Sequence, residues 1–136
     1  MKILIDAGPL YALINHREYY HRWATDQASR LERPFYTCEA VISEAHHLLK
    51  KVYNGSRQLN ELVKTGRVVL AFSYADHIDR VNALMDTYAN VPMSFADACL
   101  VRMAENDAQG RIFTTDGDFR IYRKNQANPL DVIMPS

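Results

Sequence analysis

Four acidic residues, each at or soon after the end of a predicted β-strand, suggest the chemistry of this sequence: Asp6, Glu44, Asp97 and Asp116. Two unit charges about 4 Å apart repel by roughly 4 kcal/mol at an effective dielectric near 20. Carboxylates that converge on one cleft must therefore bind protons or a divalent cation. Because hard cations prefer oxygen ligands, this acidic quartet predicts a Mg²⁺ or Mn²⁺ site suited to phosphodiester chemistry.

Asp6 and Asp116 occupy equivalent places, because each follows a short run of strand-forming residues, at positions 3–5 and 112–115. In a parallel sheet both runs end at the same edge, where doubly wound α/β proteins bind their ligands. Each residue also has a purely structural alternative. Asp6 could form an Asx turn, and Asp116 could cap a helix that begins near Gly117.

Asp97 and Glu44 lie on predicted helices. A rotation of about 100° per residue places Asp97 between Leu100 and Val101, on the face that packs inward. The alternative role of Asp97 is structural, since Ser94-x-x-Asp97 resembles a capping box. Glu44 lies on the rim of an apolar stripe, where a glutamate is usually just solvated. The prediction of one metal site therefore rests on the four acids as a set.

Residues close to Asp116 extend the hypothesis. Asp118 could bind a second ion or orient water, or it could cap the helix that follows. Arg120, Arg123 and Lys124 lie on a predicted helix over residues 119–124, from which they could contact the phosphate backbone of a nucleic acid. The alternative for these three cations is a solvated helix face.

Length and composition predict one cytoplasmic domain over residues 1–136. A chain of 136 residues with 48% hydrophobic content can bury roughly two-thirds of its unfolded surface. Lys and Arg balance Asp and Glu, so a polyanion must be held locally. Cys38 and Cys99 lack zinc-type or CxxC spacing, so we expect both to be reduced, buried thiols. No apolar run approaches the roughly 18 residues of a membrane span.

Predicted strands and helices alternate along the chain. Apolar runs predict strands at residues 2–5, 34–37, 68–72, 111–114 and 131–134. Apolar spacings of three and four predict helices at residues 10–14, 19–31, 38–52, 59–63, 78–88, 95–105 and 119–124. This alternation predicts an α/β fold, a three-layer α/β/α sandwich with a central, mostly parallel sheet of about five strands.

The chain resembles the PIN-domain ribonucleases, in particular the VapC-like toxins of bacterial and archaeal type II toxin-antitoxin pairs. The resemblance spans nearly the whole length and rests on the order and spacing of four motifs. They are Leu4-Ile5-Asp6-Ala7-Gly8-Pro9-Leu10, Val41-Ile42-Ser43-Glu44-Ala45, Phe95-Ala96-Asp97-Ala98 and Thr114-Thr115-Asp116-Gly117-Asp118-Phe119.

The resemblance implies hydrolysis of single-stranded or structured RNA at a Mg²⁺ or Mn²⁺ site held by the acidic quartet. It assigns supporting roles to Asp118 and to the hydroxyl group of Thr114 or Thr115. It also implies a homodimer and, for a toxin, inhibition by an antitoxin peptide that lies across a groove near the first helices. No membrane partner is implied.

Two other functions stay open. A phosphoryl-transfer domain also places aspartates at strand ends, but a haloacid dehalogenase-like phosphatase needs a second aspartate two residues after the first, where this chain has Gly8. A catalytically silent PIN-type module that binds RNA or protein would carry the same sequence pattern. RNA cleavage distinguishes the nuclease from both.

Overall fold

Within residues 2–136, which the computed structural model describes, the chain forms seven short strands. They are β1 (Ile3–Ile5), β2 (Phe35–Thr37), β3 (Val68–Leu70), β4 (Arg111–Phe113), β5 (Arg123–Lys124), β6 (Asn128–Pro129) and β7 (Val132–Ile133). Five of them form one sheet in the order β3-β2-β1-β4-β7, and each neighbouring pair in it is parallel. The predicted sheet is confirmed.

Six α-helices in the same described residues cover this sheet. They are α1 (Ala7–Ile14), α2 (His21–Arg30), α3 (Glu39–Leu49), α4 (Gly55–Lys64), α5 (Ile78–Thr87) and α6 (Phe95–Glu105). Helix α1 contacts α2, α3 and α4, whereas α5 and α6 pack against each other and α6 contacts β1 and β4. The predicted three-layer α/β/α sandwich is confirmed. None of the helices in residues 2–136 has the length and apolarity that a bilayer span requires.

The direction in which strands are added to the sheet reverses beside β1. The chain first places β2 and β3 on one side of β1, and then β4 and β7 on the other side. Ile3 is in register with Phe35 of β2 and with Arg111 of β4. A crevice therefore lies outside the carboxyl ends of β1 and β4, the place where open α/β sheets bind ligands.

The core lies on both sides of β1. Ile3, Leu4 and Ile5 are each at most 2% exposed, as expected for an apolar strand inside a parallel sheet. Helix α6 is similarly enclosed, with only Phe95, Arg102 and Glu105 outside its set of buried residues. Full burial of a large apolar side chain contributes roughly 1.5–3 kcal/mol, so α6 is a firm support for the acid in its first turn.

The predicted helix over residues 119–124 is wrong. A 3₁₀ helix, Gly117–Arg120, ends after one turn, and β5 then pairs with β6 in an antiparallel hairpin. Asn125 and Gln126 have φ angles of 52° and 69°, which reverse the chain and are incompatible with a continuing right-handed helix. Residues Arg123 and Lys124 pair with β6 instead of continuing the helix, so backbone bonds of the hairpin replace those of the last helical turn.

Candidate metal centre

Asp6 connects β1 and β4, the two strands that flank the crevice, through a hydrogen bond of its side chain. It is 4% exposed, and its Oδ1 accepts a hydrogen bond of 2.8 Å from the backbone N–H of Ala7, which caps α1. Its Oδ2 accepts a bond of 2.7 Å from the hydroxyl group of Thr114, a buried residue directly after β4. The structural role of Asp6 is therefore real, and each carboxylate oxygen still has an acceptor site for a second partner.

Asp97 lies in the first turn of α6 and is 7% exposed, as the helical periodicity predicted. Ser94 caps the helix by accepting a bond of 3.0 Å from the Asp97 N–H, so half of the predicted capping box is present. The Oδ2 atom of Asp97 accepts a bond of 2.8 Å from the hydroxyl group of Tyr122. The expectation that Asp97 follows a strand is wrong, because α6 follows α5 in the chain.

Asp116 lies in the loop after β4, where the backbone is held by side chains. The Asp116 N–H donates 3.0 Å to Thr114 Oγ1, and Asp116 Oδ1 accepts 2.9 Å from the Asp118 N–H. The cap that the sequence offered as an alternative is thus formed. Thr115 packs against α1 so closely that a Cβ on Gly8 would lie 2.2 Å from Thr115 Oγ1. Glycine at this position lets α1 approach the Asp116 loop.

Glu44 completes the acidic quartet from the middle of α3, about two helical turns after β2. It is exposed, unlike Asp6 and Asp97. Partial loss of hydration raises the pKa of Glu44, and the negative charges of Asp97 and Asp116 raise it further. Glu44 does not directly follow a strand, and its place in the quartet stays a prediction.

The buried acids are held in an unfavourable electrostatic environment. Burial raises the pKa of Asp6 to about 7 and outweighs the lowering effect of the hydrogen bonds from Thr114 and Ala7, and the charges of Asp97 and Glu44 add smaller increases. Burial and the charge of Asp116 also raise the pKa of Asp97, against the lowering effect of the bond from Tyr122. Part of each of these pKa shifts comes from the charge of another quartet member, and one shared cation site for the four acids stays a prediction.

The residues fit a divalent cation in their chemistry. Each quartet member offers carboxylate oxygen, and within residues 2–136 none of the four forms an ion pair with lysine or arginine. In the same residues, no three His, Cys, Asp or Glu side chains converge tightly enough to enclose an ion by themselves. The all-oxygen chemistry of these side chains is that of a Mg²⁺ ligand set, since Mg²⁺ keeps several waters and takes few direct carboxylate ligands.

The three cations predicted to bind RNA do not share one helix face. Arg120 is exposed at the end of the 3₁₀ helix, whereas Arg123 and Lys124 form β5. The guanidinium group of Arg123 donates to the carbonyl oxygens of Arg120, Ile121 and Tyr122 at 2.7–3.1 Å. Arg123 therefore stabilises the end of the helix, and an RNA-binding role for the three cations stays a prediction.

Tyr122 is the residue of this site that the sequence did not reveal. Burial raises its pKa, as does its hydrogen bond to Asp97, so the phenol stays protonated and donates to that carboxylate. The only sequence signal was an aromatic residue among Arg120, Ile121 and Arg123, which is equally typical of a surface helix. Its role depends on the chain reversal at β5.

The fold and the site together define a class, α/β/α proteins with a cluster of acids at the topological switch point of a parallel sheet. A family model described as "PIN domain" matches residues 3–125. The chain therefore belongs to the PIN domain family, and the resemblance seen in the four motifs is confirmed.

A solved structure shows the same fold. It is the crystal structure of Mycobacterium tuberculosis VapC20, described as a sarcin-ricin loop cleaving toxin, with a TM-score of 0.81 and 18% sequence identity. The match covers 94% of this chain and 100% of that chain. Among curated proteins, none matches this sequence. The similarity to VapC20 confirms the VapC-like fold.

Proposed function

We propose that this protein is a Mg²⁺- or Mn²⁺-dependent endoribonuclease that hydrolyses RNA phosphodiester bonds at the acidic quartet. The observation that carries the proposal is the set of four mutually repelling carboxylates at the switch point, none paired with a cation among residues 2–136. Membership of the PIN domain family and the fold shared with an RNA-cleaving toxin support the same activity.

The residues of the site have two roles, since some would hold a cation and others fix the orientation of its ligands. Asp6, Glu44, Asp97 and Asp116 would hold the ion, with Asp118 beside Asp116. When bound, the ion supplies Lewis-acid activation of water and neutralises charge that develops on the phosphate. The hydroxyl group of Thr114 fixes the orientation of Asp6, and the phenol of Tyr122 fixes that of Asp97. Such fixed partners keep ligand geometry constant.

The decisive test compares wild type with Asp97→Asn on a mixed RNA substrate, with Mg²⁺ or Mn²⁺ and then with EDTA. Cleavage by wild type alone, and its loss in EDTA, support the proposal. Equal cleavage by both proteins, or no cleavage with either metal, overturns it. Metal-independent RNA binding without turnover would identify a catalytically silent module, and release of inorganic phosphate from small esters would identify a phosphatase.

We also propose that the chain is the toxin of a toxin-antitoxin pair. The fold of VapC20 supports this, and so does an apolar groove of about 490 Å³ between α1, α2 and α4, lined by Leu10, Leu13, Ile14 and Leu62. An antitoxin segment with apolar side chains would fit this groove. Expression in bacteria should arrest growth, and co-expression of a short reading frame adjacent to the gene should restore it. Unimpaired growth would indicate a housekeeping nuclease.

The remaining proposals concern assembly and compartment. We propose a homodimer, for which light scattering should give about twice the chain mass of 15.6 kDa; a monomer mass contradicts it. We also propose the cytoplasm, because Cys38 and Cys99 are both free thiols in the core and reducing compartments preserve such thiols.

A further inference from the structure

A second groove lies at the carboxyl-terminal ends of α1 and α3. Its volume is about 840 Å³, and its walls come from the last turn of α1, the end of α3 and the turn that leads to α4. Among the lining residues, Arg17, Lys50 and Lys51 are cationic, His16 and His47 can become so, and no aspartate or glutamate is present. In a protein with no net charge, this groove is a local concentration of positive charge.

The cations of this groove are available to a ligand. Within residues 2–136, none of Arg17, Lys50 and Lys51 takes part in an ion pair, and all three are exposed. Two helix carboxyl ends contribute about half a negative charge each. Three unpaired cations exceed that total of about one, so the groove attracts anions.

The groove and the acidic quartet lie along the same two helices. On α3, His47 and Leu48 follow Glu44 by three and four residues, so they lie on the same helix face one turn further along. Both line the groove. That face of α3 therefore extends continuously from the acidic site to the cationic groove.

Helix α1, beside α3, also extends from the acidic site to the cationic groove. Gly8 lies against Thr115 in the Asp116 loop, and Tyr11, one turn later on the same face, lines the groove. Asn15 follows on this face and donates 2.9 Å to the Tyr11 hydroxyl group. From Asp6 to Ile14 the helix rises about 12 Å, a distance spanned by about four stacked nucleotides at roughly 3.4 Å each.

An exposed aromatic residue borders the cations. Tyr53 lines the groove and is 88% exposed, so its ring is accessible to a ligand. Aromatic rings beside cations form stacking platforms for the bases of single-stranded nucleic acids. The groove thus combines positive charge, which attracts phosphates, with an aromatic ring on which bases can stack.

We propose that this groove, formed by Arg17, Lys50, Lys51 and Tyr53, binds the single-stranded segment of RNA that flanks the scissile phosphate. The inference rests on the proposed ribonuclease function and extends it to the position of the substrate. Arg17, Lys50 and Lys51 bind phosphates, Tyr53 stacks on a base, and the strand continues between α1 and α3 to the acidic quartet.

The first experiment measures binding without cleavage. In the Asp97→Asn background, anisotropy of a labelled single-stranded RNA of mixed sequence is titrated with protein at several salt concentrations. Lys50→Ala/Lys51→Ala should weaken RNA binding about tenfold. The negative slope of log K against log salt should become less steep by about 1.4, because each lost phosphate contact removes roughly 0.7. Tyr53→Ala should weaken binding by a similar factor and leave the slope unchanged.

The matched control is Arg22→Ala/Lys64→Ala, which removes two exposed cations from α2 and α4, away from the groove. It should bind RNA as the parent does. Equal RNA binding by the Lys50/Lys51 variant and its parent overturns the proposal. An equal loss of RNA affinity in the control variant also overturns it, because the attraction would then come from positive charge spread over the whole surface. The proposal is also overturned if a poly-glutamate peptide binds the Lys50/Lys51 variant more weakly than the parent while RNA binds both proteins equally.

Cleavage assays separate this inference from the proposed function. With the catalytic residues intact, Lys50→Ala/Lys51→Ala should raise KM for single-stranded RNA and leave kcat within about twofold, since the loss is one of uniform binding. Unchanged KM in an active enzyme would overturn the groove and leave the nuclease standing. If wild type shows no metal-dependent cleavage, the proposed function fails, and the binding titration still decides whether the groove binds RNA.

Discussion

The hydroxyl group of Tyr122 donates a hydrogen bond of 2.8 Å to Oδ2 of Asp97, although 25 residues separate the two in the chain. The pair connects the end of the 3₁₀ helix with the first turn of α6. Burial of Asp97 favours its neutral form, and the donated bond stabilises the carboxylate instead. A residue outside the acidic quartet therefore fixes the orientation of a proposed metal ligand and favours its charged form against the effect of burial.

Replacing Tyr122 with phenylalanine should weaken metal binding. The change leaves the ring and removes the donor, so the pKa of Asp97 rises further and the carboxylate can rotate. We expect about a tenfold lower cleavage rate and a loss of about 1–3 kcal/mol in unfolding free energy, the usual penalty for a buried polar group without its partner. Calorimetric Mg²⁺ titration and urea denaturation measure the two effects.

The matched control for this change is Tyr88→Phe. Tyr88 packs on Tyr122 with ring centroids 5.1 Å apart, and its hydroxyl group accepts 2.8 Å from the Arg123 N–H. The control removes a hydroxyl group of the same kind from the same region without touching a carboxylate. It should lower stability and keep the Mg²⁺ affinity. Equal loss of affinity in both variants would contradict a specific role for Tyr122.

Asp6 should make the metal-free protein less stable as the pH rises. The pKa of this buried carboxyl group is about 7 in the folded chain against 3.8 for an unperturbed aspartate, so the folded state holds the proton more tightly. Its stabilising contribution is complete below about pH 4 and is lost between pH 4 and 7. The gap between the two values corresponds to roughly 4 kcal/mol as an upper bound.

Comparison with Asp6→Asn isolates this effect from other titrating groups. In EDTA, the unfolding free energy of Asp6→Asn minus that of wild type should increase from pH 4 to pH 7 and then level off. Saturating Mg²⁺ should lower this difference at pH 7 by about 2.7 kcal/mol, because ligand at a hundredfold excess over Kd stabilises a binding protein by that amount. A difference that does not vary with pH would show that Asp6 is not destabilised by burial.

Much of the fold was predictable because its signals are local. The helix at Phe95–Glu105 has the bounds that its periodicity predicts, and the buried position of Asp97 follows from the same period. The apolar run at Ile3–Ile5 similarly identified β1, and the acid after it identified one edge of the site. Such features depend on neighbouring residues alone, so one sequence suffices to locate them.

The features that were not predictable depend on contacts between distant segments. The order of strands beside β1 is a property of the whole sheet, and Tyr122 reaches Asp97 only because Asn125 and Gln126 reverse the chain. Helical periodicity favoured a helix through Lys124, and the pairing of β5 with β6 replaced it. Glu44 on an exposed rim carried no signal of its own, since its partners are Asp97 and Asp116.

Gly8 should tolerate a methyl group only if Thr115 becomes smaller. A Cβ on Gly8 would lie 2.2 Å from Thr115 Oγ1, so Gly8→Ala forces the hydroxyl group or α1 to move. Overpacking of this kind costs typically about 1–3 kcal/mol, and the displaced Asp116 loop should reduce cleavage. Thermal unfolding and the cleavage assay measure both.

The double variant Gly8→Ala/Thr115→Ala tests the cause. It removes the clashing oxygen and leaves Thr114, which is the residue bonded to Asp6. Stability should return to within about 0.5 kcal/mol of Thr115→Ala alone, as expected for two sites that interact through one contact. If the double variant is as unstable as the sum of the single changes, the close approach of α1 to the Asp116 loop is not the reason for the glycine.

Glu105 should be the main ionic support of the β5–β6 hairpin. Its fully enclosed side chain accepts bonds of 2.9 and 2.6 Å from Arg80, 3.4 Å from Arg102 and 2.7 Å from the Asn125 N–H. Burial opposes ionisation, but these donors outweigh it and lower the pKa of Glu105. Its stabilising contribution is therefore present above pH 4.5, the pKa of an unperturbed glutamate, and is lost as the pH falls through the lower folded pKa.

Glu105→Gln should consequently lower the unfolding free energy at pH 7 by about 3 kcal/mol, since removing one partner leaves Arg80 with an uncompensated charge. The exposed pair Arg30–Asp26 provides the contrast, and Asp26→Asn should cost less than about 1 kcal/mol. Urea denaturation at pH 7 and pH 3 measures both variants. The deficit of Glu105→Gln should be smaller at pH 3 than at pH 7, because the lowered pKa of Glu105 brings wild type closer to its protonated form as the pH falls. A deficit equal at both pH values, or one no larger than that of Asp26→Asn, would show that packing rather than charge holds the hairpin against α6.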